Sequence, residues 1–169
     1  MNLEFKQQVL NIKLPRYNEL PNIGLYIDQV ITYLEKTIGI LYTQDECITA
    51  SMVANYVNQG LMTPTNKKKY TNDHIAFLIL IFIFKQIYSI NEIKAIIKVH
   101  EDIGFPVEKS YNYLASELEN VLKSTFSKQG VPQDSIKIHS ELRFFIRSSV
   151  IAYANKFYTL QLLKKYSKK

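Results

Sequence analysis

Apolar positions recur with helical spacing along most of this chain, and small polar or glycine punctuation separates the runs. From Ala50 to Asn58, Val53, Tyr56 and Val57 share one side at i, i+3, i+4, while Ser51, Asn55 and Asn58 share the opposite side at i, i+4, i+7. The pattern predicts a helix of about two turns with one packing face and one small, uncharged polar face. Thr49 is its expected N-cap, Gly60 its left-handed stop, and Leu61 the residue that folds back on the last turn. The apolar run Ile75 to Phe84 predicts another helix, capped by Thr71 with Asp73 near its positive end. Ser89 caps a third, in which Ile90, Ile93, Ile97 and His100 share a side before Gly104 closes it.

Upstream, Leu25 to Gly39 reads as a longer helical segment, followed by a loop from Ile40 to Cys47. Downstream, Pro106 opens a run in which Val107, Tyr111, Leu114, Leu118 and Val121 repeat with 4-3-4-3 spacing. A break at Ser127 to Ser135 contains Gly130 and Pro132, and Leu142, Ile146, Val150, Tyr153, Phe157 and Leu160 then form a second long stripe. Two such helices across a short loop are expected to pair antiparallel.

Between Gly60 and Thr71 the periodicity changes. Leu61-Met62-Thr63, Pro64-Thr65-Asn66 and Lys67-Lys68-Lys69-Tyr70 read as a short β-hairpin whose turn carries three consecutive positive charges. The expected fold class is all-α with a small β-hairpin wing: a winged helix-turn-helix followed by a long C-terminal helical hairpin. Residues 1–104 would form an N-terminal strap plus the DNA-binding domain, and residues 105–169 a dimerisation or effector region.

Charge supports this division. The total of +6 is modest, but residues 1–48 sum to −2, residues 49–100 to +4 and residues 101–169 to +4. Positive charge therefore collects around the lysine turn, although Lys164, Lys165, Lys168 and Lys169 also read as a solubilising tail. A hydrophobic content of 47% places the chain among globular rather than disordered proteins. The apolar stretch of the Ile75 to Phe84 helix is about ten residues, well short of the roughly 20 that span a bilayer. Met1 to Asn11 has no uninterrupted apolar core behind a basic region, and Cys47 is the sole cysteine. A cytoplasmic protein is expected.

The stretch from Ile48 to Lys98 resembles the DNA-binding module of MerR-type regulators, in helix, Gly-Leu, basic wing, helix and S-x-x-E-I order. Tyr56, Gly60, Leu61, Pro64, Lys69-Tyr70 and Ser89-Ile90-Asn91-Glu92-Ile93 carry the likeness. Together with LPRYNELPNIGLYIDQVITYLE upstream, it is more closely similar to an uncharacterised Firmicutes family, a domain of unknown function of MerR-like character, over roughly residues 14–104. The resemblance implies a dimeric transcription regulator that dimerises through the C-terminal helices. Two departures stand out: Ala54 occupies the place of an arginine, and the compact first helix is replaced by Leu25 to Gly39.

The candidate DNA-binding residues are Ser51, Asn55 and Asn58 in the major groove, where Asn can pair bidentately with adenine, and Lys67, Lys68 and Lys69 on phosphates. Tyr70 is read as an anchor of the wing that can also reach DNA, and His74 as a phosphate donor or a partly exposed surface histidine. Leu142, Ile146, Val150, Tyr153, Phe157 and Leu160 are the candidate dimer interface. The two C-terminal stripes can equally bury each other within a monomer. Arg16 and Tyr17 read as an extended arm or a packed strap, and Cys47 as a small buried apolar residue.

Double-stranded DNA and a second copy of the chain are the expected partners, with no cofactor and no membrane. A small-molecule effector is conceivable in a cavity near Tyr111, Phe145 and Tyr153. His74, His100 and His139 lack metal-ligand spacing, and the five glycines form no phosphate loop or dinucleotide fingerprint. Glu117 and Glu119 point in different directions on a helix, so no enzyme is expected. The rival reading is a helical protein-interaction module without DNA binding.

Overall fold

The computed structural model describes residues 1–42, 47–135 and 141–166, and nothing of the Lys165 side chain. Asp45, Glu46, His139, Lys168 and Lys169 lie outside the described residues. Among the described residues there are seven α-helices: α1 (Leu3–Leu10), α2 (Ile27–Ile38), α3 (Ala50–Asn58), α4 (Asn72–Lys85), α5 (Ile90–Ile103), α6 (Val107–Ser127) and α7 (Glu141–Tyr166). Short 3-10 turns occur at Tyr17–Glu19 and Gly39–Leu41. The chain divides into two compact units, Met1–Leu14 with Tyr113–Lys169, and Pro15–Asn112.

In the unit Pro15–Asn112, α4 is the central element. Nine of its residues, His74 through Phe84, are buried on all sides of the helix, as expected for a helix apolar all round. It packs on α2 and α5, and α2 also packs on α3. The strap before α2 is tied down where it begins, at Pro15 and Tyr17. The Tyr111 hydroxyl donates to Pro15 O (2.9 Å), Tyr17 N donates to Asn112 Oδ1 (2.8 Å), and the Tyr17 hydroxyl donates to Asp73 (2.6 Å). Of the two sequence readings of Arg16 and Tyr17, the structure shows the packed strap. At the far end of α5, His100 Nε2 and Ser110 Oγ are hydrogen-bonded (2.9 Å).

No β-strand is present among the described residues, so the expected β-hairpin wing is absent. The reason lies in where the first arm spends its backbone groups. Leu61 N donates to Tyr56 O (2.9 Å) to finish α3, Thr63 O accepts from His74 Nε2 (3.0 Å), and Pro64 has no N–H. Leu61 N, Thr63 O and Pro64 are thus withdrawn from the ladder that a hairpin would need. Tyr70 pairs instead with Leu25, in an isolated antiparallel bridge.

In the other unit, α6 and α7 run parallel, not as the expected antiparallel hairpin. Glu117 meets Arg147, while further along both helices Phe126 meets Phe157 (ring centres 5.8 Å apart) and Tyr158 (5.1 Å). The connection makes this possible by running back along α6. Ser124 Oγ donates to Gly130 O, Asn120 Nδ2 to Gln133 O, and Ser135 N to Glu117 Oε1. Covering the ten residues from Glu117 to Ser127 takes about 15 Å of helix, which eight extended residues exceed at about 3.3 Å each. The segment is a crossover, and α7 restarts beside the first half of α6. Phe5 of α1 joins the aromatic cluster at Phe157 (6.1 Å), and Leu14 N donates to Glu119 Oε1 (2.8 Å). Glu117 and Glu119 do point apart, Glu117 to α7 and Glu119 to the N-terminal segment.

Candidate nucleic-acid interface

Local chemistry fixes α3 at both ends. Thr49 Oγ1 accepts from Met52 N (3.3 Å) at the start. At the other end Gly60 adopts φ 71°, Gly60 N donates to Val57 O and Leu61 N to Tyr56 O, the paired bonds of a left-handed helix stop. Val53 and Tyr56 are buried, whereas Ser51, Ala54, Asn55 and Asn58 are exposed. Asn55 Oδ1 accepts from Gln59 Nε2 (3.1 Å), and the Ser51 and Thr49 hydroxyls are 3.2 Å apart. The outer face is therefore an uncharged set of hydroxyl and amide groups, which can both donate and accept hydrogen bonds.

The lysines occupy a tight turn. Lys69 N donates to Asn66 O (2.9 Å), and the two central residues, Lys67 (φ 49°) and Lys68 (φ 59°), are both left-handed. Such turns favour Asn-Gly, because each ordinary side chain held in that conformation costs roughly 1–2 kcal/mol. The turn is anchored from behind. Leu25 N donates to Tyr70 O (2.9 Å) and Tyr70 N to Leu25 O (2.8 Å). The Lys69 stem lies on Gly24, where an added Cβ would meet Lys69 Cβ at 2.8 Å, and its ammonium sits 5.6 Å from the centre of the Tyr26 ring. Lys67, Lys68 and Lys69 are exposed.

Tyr70 and His74 lie behind this surface. Tyr70 is buried, its ring edge-on to His74 (5.6 Å), and burial raises its hydroxyl pKa above the ordinary value. His74 is also buried. Its Nδ1 accepts from Thr71 N (3.1 Å), which leaves Nε2 as the protonated nitrogen donating to Thr63 O (3.0 Å). His74 is neither a surface histidine nor placed to reach a phosphate; it clamps the two ends of the segment that carries the lysines. Sequence reasoning missed this clamp, the Gly24 seat and the Tyr26 ring, because each depends on residues distant from the turn or on a side-chain direction. It also passed over Lys85 and Lys94, which reach the end of α3: Lys85 Nζ is 5.8 Å from the centre of the Tyr56 ring.

The other candidates are placed as follows. Leu142, Ile146, Val150, Tyr153 and Phe157 are buried and Leu160 is half-buried within the single chain, where Tyr153 stacks on Phe157 (5.7 Å). The surface of α7 instead shows Phe144, Phe145, Leu162, Leu163 and Tyr166. Tyr111 is buried in the unit Pro15–Asn112; in the other unit Tyr153 is buried and Phe145 is exposed. An open groove of about 260 Å³ lies elsewhere, between Val121, Thr125, Lys128, Val131, Ile151 and Tyr158. Cys47 is exposed, not buried as expected. Among the described residues no three or more His, Cys, Asp or Glu side chains gather as a metal site. No helix of the described residues is long and apolar enough to cross a membrane.

The chain belongs to the family defined by a domain of unknown function, DUF1836, whose model matches residues 15–114. That span nearly coincides with the compact unit Pro15–Asn112, so the family domain includes α3, the lysine turn and their anchors. No curated protein and no solved structure matches the chain.

Proposed function

We propose that this protein is a sequence-specific DNA-binding transcription regulator of MerR-like type, acting in the cytoplasm of a Firmicutes bacterium. In this reading the exposed face of α3 enters the major groove, with Asn55 reading a base edge and Ser51 and Asn58 beside it. Lys67, Lys68 and Lys69 contact phosphates from a tight turn rather than from a β wing. The observation that supports it most is the lysine turn itself. Two consecutive lysines occupy a conformation that glycine or asparagine would adopt at lower cost, and a buried clamp and the backbone bridge from Tyr70 to Leu25 hold them there. Phosphate contact gives that arrangement a use.

A homodimer would give two half-sites, and it has to use a face other than the buried stripe of α7. Phe144 and Phe145 near one end of that helix, and Leu162, Leu163 and Tyr166 near the other, share the exposed side with Ser148, Ala152 and Thr159. An antiparallel copy would set the first pair against the last group. Leu163→Glu with Phe145→Glu should then convert a dimer to a monomer in sedimentation, and an unchanged dimer would rule this face out.

The rival, a protein-interaction module, is favoured by one observation: residues 15–112 carry nine Lys and Arg against ten Asp and Glu. The deciding experiment measures binding to random duplex and to the protein's own upstream region at low and moderate salt. Salt-sensitive binding lost in Lys67/Lys68/Lys69→Ala, with site preference lost in Asn55→Ala, is the expected result. No binding by the folded parent at low salt overturns the DNA reading in favour of the rival.

A further inference from the structure

The outer face of α3 is uncharged, so any electrostatic hold on a duplex must come from its surroundings. Two exposed lysines from different helices reach the C-terminal end of α3. Lys85, the last residue of α4, holds its Nζ 5.8 Å from the centre of the Tyr56 ring. Lys94, in α5, lies so close to the helix stop that a Cβ built on Gly60 would be 3.8 Å from Lys94 Cε. Both anchoring residues are fixed, Tyr56 by burial and Gly60 by its left-handed stop.

Cations near a helix C-terminus are favoured by the helix dipole, by roughly 0.3–1 kcal/mol at the surface. That would stabilise α3 with one lysine and leave binding unaffected. Two exposed lysines converge on one helix end, Lys85 from the side of the buried Tyr56 and Lys94 beside the Gly60 stop, and cations flanking a helix whose outer face is uncharged and polar suit backbone positioning around direct readout. The helix is about 13 Å long, comparable to the roughly 12 Å width of the major groove, so groups at its end are within reach of the groove wall.

We infer that Lys85 and Lys94 form a second phosphate-contacting pair, separate in sequence from Lys67 to Lys69, that holds the end of α3 in the groove. The inference rests on the DNA-binding reading and adds two residues and a docking point to it. The test compares the salt dependence of duplex binding by the full chain, by Lys85→Gln/Lys94→Gln and by Lys85→Arg/Lys94→Arg, with Lys123→Gln on the other unit as a charge control. Each lost phosphate contact should lower the slope of log K against log salt by on the order of 0.9, about 1.8 for the pair. The Arg variant should keep the parent slope, and the control should not alter it. Thermal unfolding of the same variants separates the two roles, since a dipole role alone lowers the melting temperature and leaves the slope intact. A parent-like slope in the Gln variant, with the slope reduced in Lys67/Lys68/Lys69→Ala, overturns the second pair and leaves the DNA reading standing. A folded parent that binds no duplex at low salt overturns both. If the Gln pair melts early, the single Gln variants decide by the same slope.

Discussion

Tyr70 exchanges both backbone hydrogen bonds with Leu25, so the segment bearing Lys67 to Lys69 is fastened to the chain that leads into α2 as well as to its own neighbours. This fastening sets where the lysines project. It requires the two backbones to approach closely at Gly24, against which the Lys69 stem packs.

Gly24→Ala should therefore disturb the turn selectively. A Cβ 2.8 Å from Lys69 Cβ cannot be accommodated by moving a distant, flexible chain end. A loss of about 1–3 kcal/mol in denaturant unfolding is expected from such overpacking, with Lys69 displaced from Tyr26. Unchanged stability and an unchanged Lys69 environment by NMR would show that the bridge does not need a glycine here.

Lys68→Gly should act in two opposite directions. Relief of a left-handed non-glycine residue at φ 59° should raise stability by about 1 kcal/mol, while removal of one cation should lower the salt slope of duplex binding by about 0.9. A variant that is less stable than the parent would show that the Lys68 side chain contributes more to the fold than its backbone costs.

Arg147 and Glu117 test the crossover. Glu117 is fully buried and accepts from Ser135 N (2.9 Å) and from Arg147, which also donates to Pro132 O. Arg147→Ala strands a buried carboxylate and should cost about 3–5 kcal/mol by chemical denaturation. Adding Glu117→Gln to Arg147→Ala should recover part of that loss. If Arg147→Ala costs under about 1 kcal/mol, the parallel pairing of α6 with α7 does not depend on this bond.

His100 should make stability fall in mild acid. It packs edge-on to Phe77, its Nδ1 has no hydrogen-bond partner among the described residues, and burial holds its pKa below the ordinary 6.5, against the opposing pull of Glu101. An unfolded chain takes up a proton that the folded chain resists. The contribution is therefore fully present above about pH 6.5 and is lost progressively as pH falls below it. Denaturant midpoints at about pH 7.5 and pH 5.5 should differ more for the parent than for His100→Gln. Equal differences would show that His100 is not linked to folding in this range.

The local units were legible from neighbouring residues alone. Thr49 before α3, the Gly60-Leu61 stop, Ser89 reciprocally bonded to Glu92 (2.7 Å to Ser89 N) and Gly104 at φ 65° are each read correctly because cap and partner lie within a few residues. The exposure of Ser51, Asn55, Asn58 and Lys67 to Lys69 was legible as well, since the surface side of α3 follows from its period and a run of three lysines favours solvent. What each apolar stripe packs against depends on segments far away along the chain. Periodicity says that Leu142 to Phe157 are buried, but not that the covering surface is in the same chain or that α6 runs parallel to α7. Tyr70 with Leu25, and His74 with Thr63, were equally out of reach. A backbone group shows no preference among the partners available to it until packing brings one of them near.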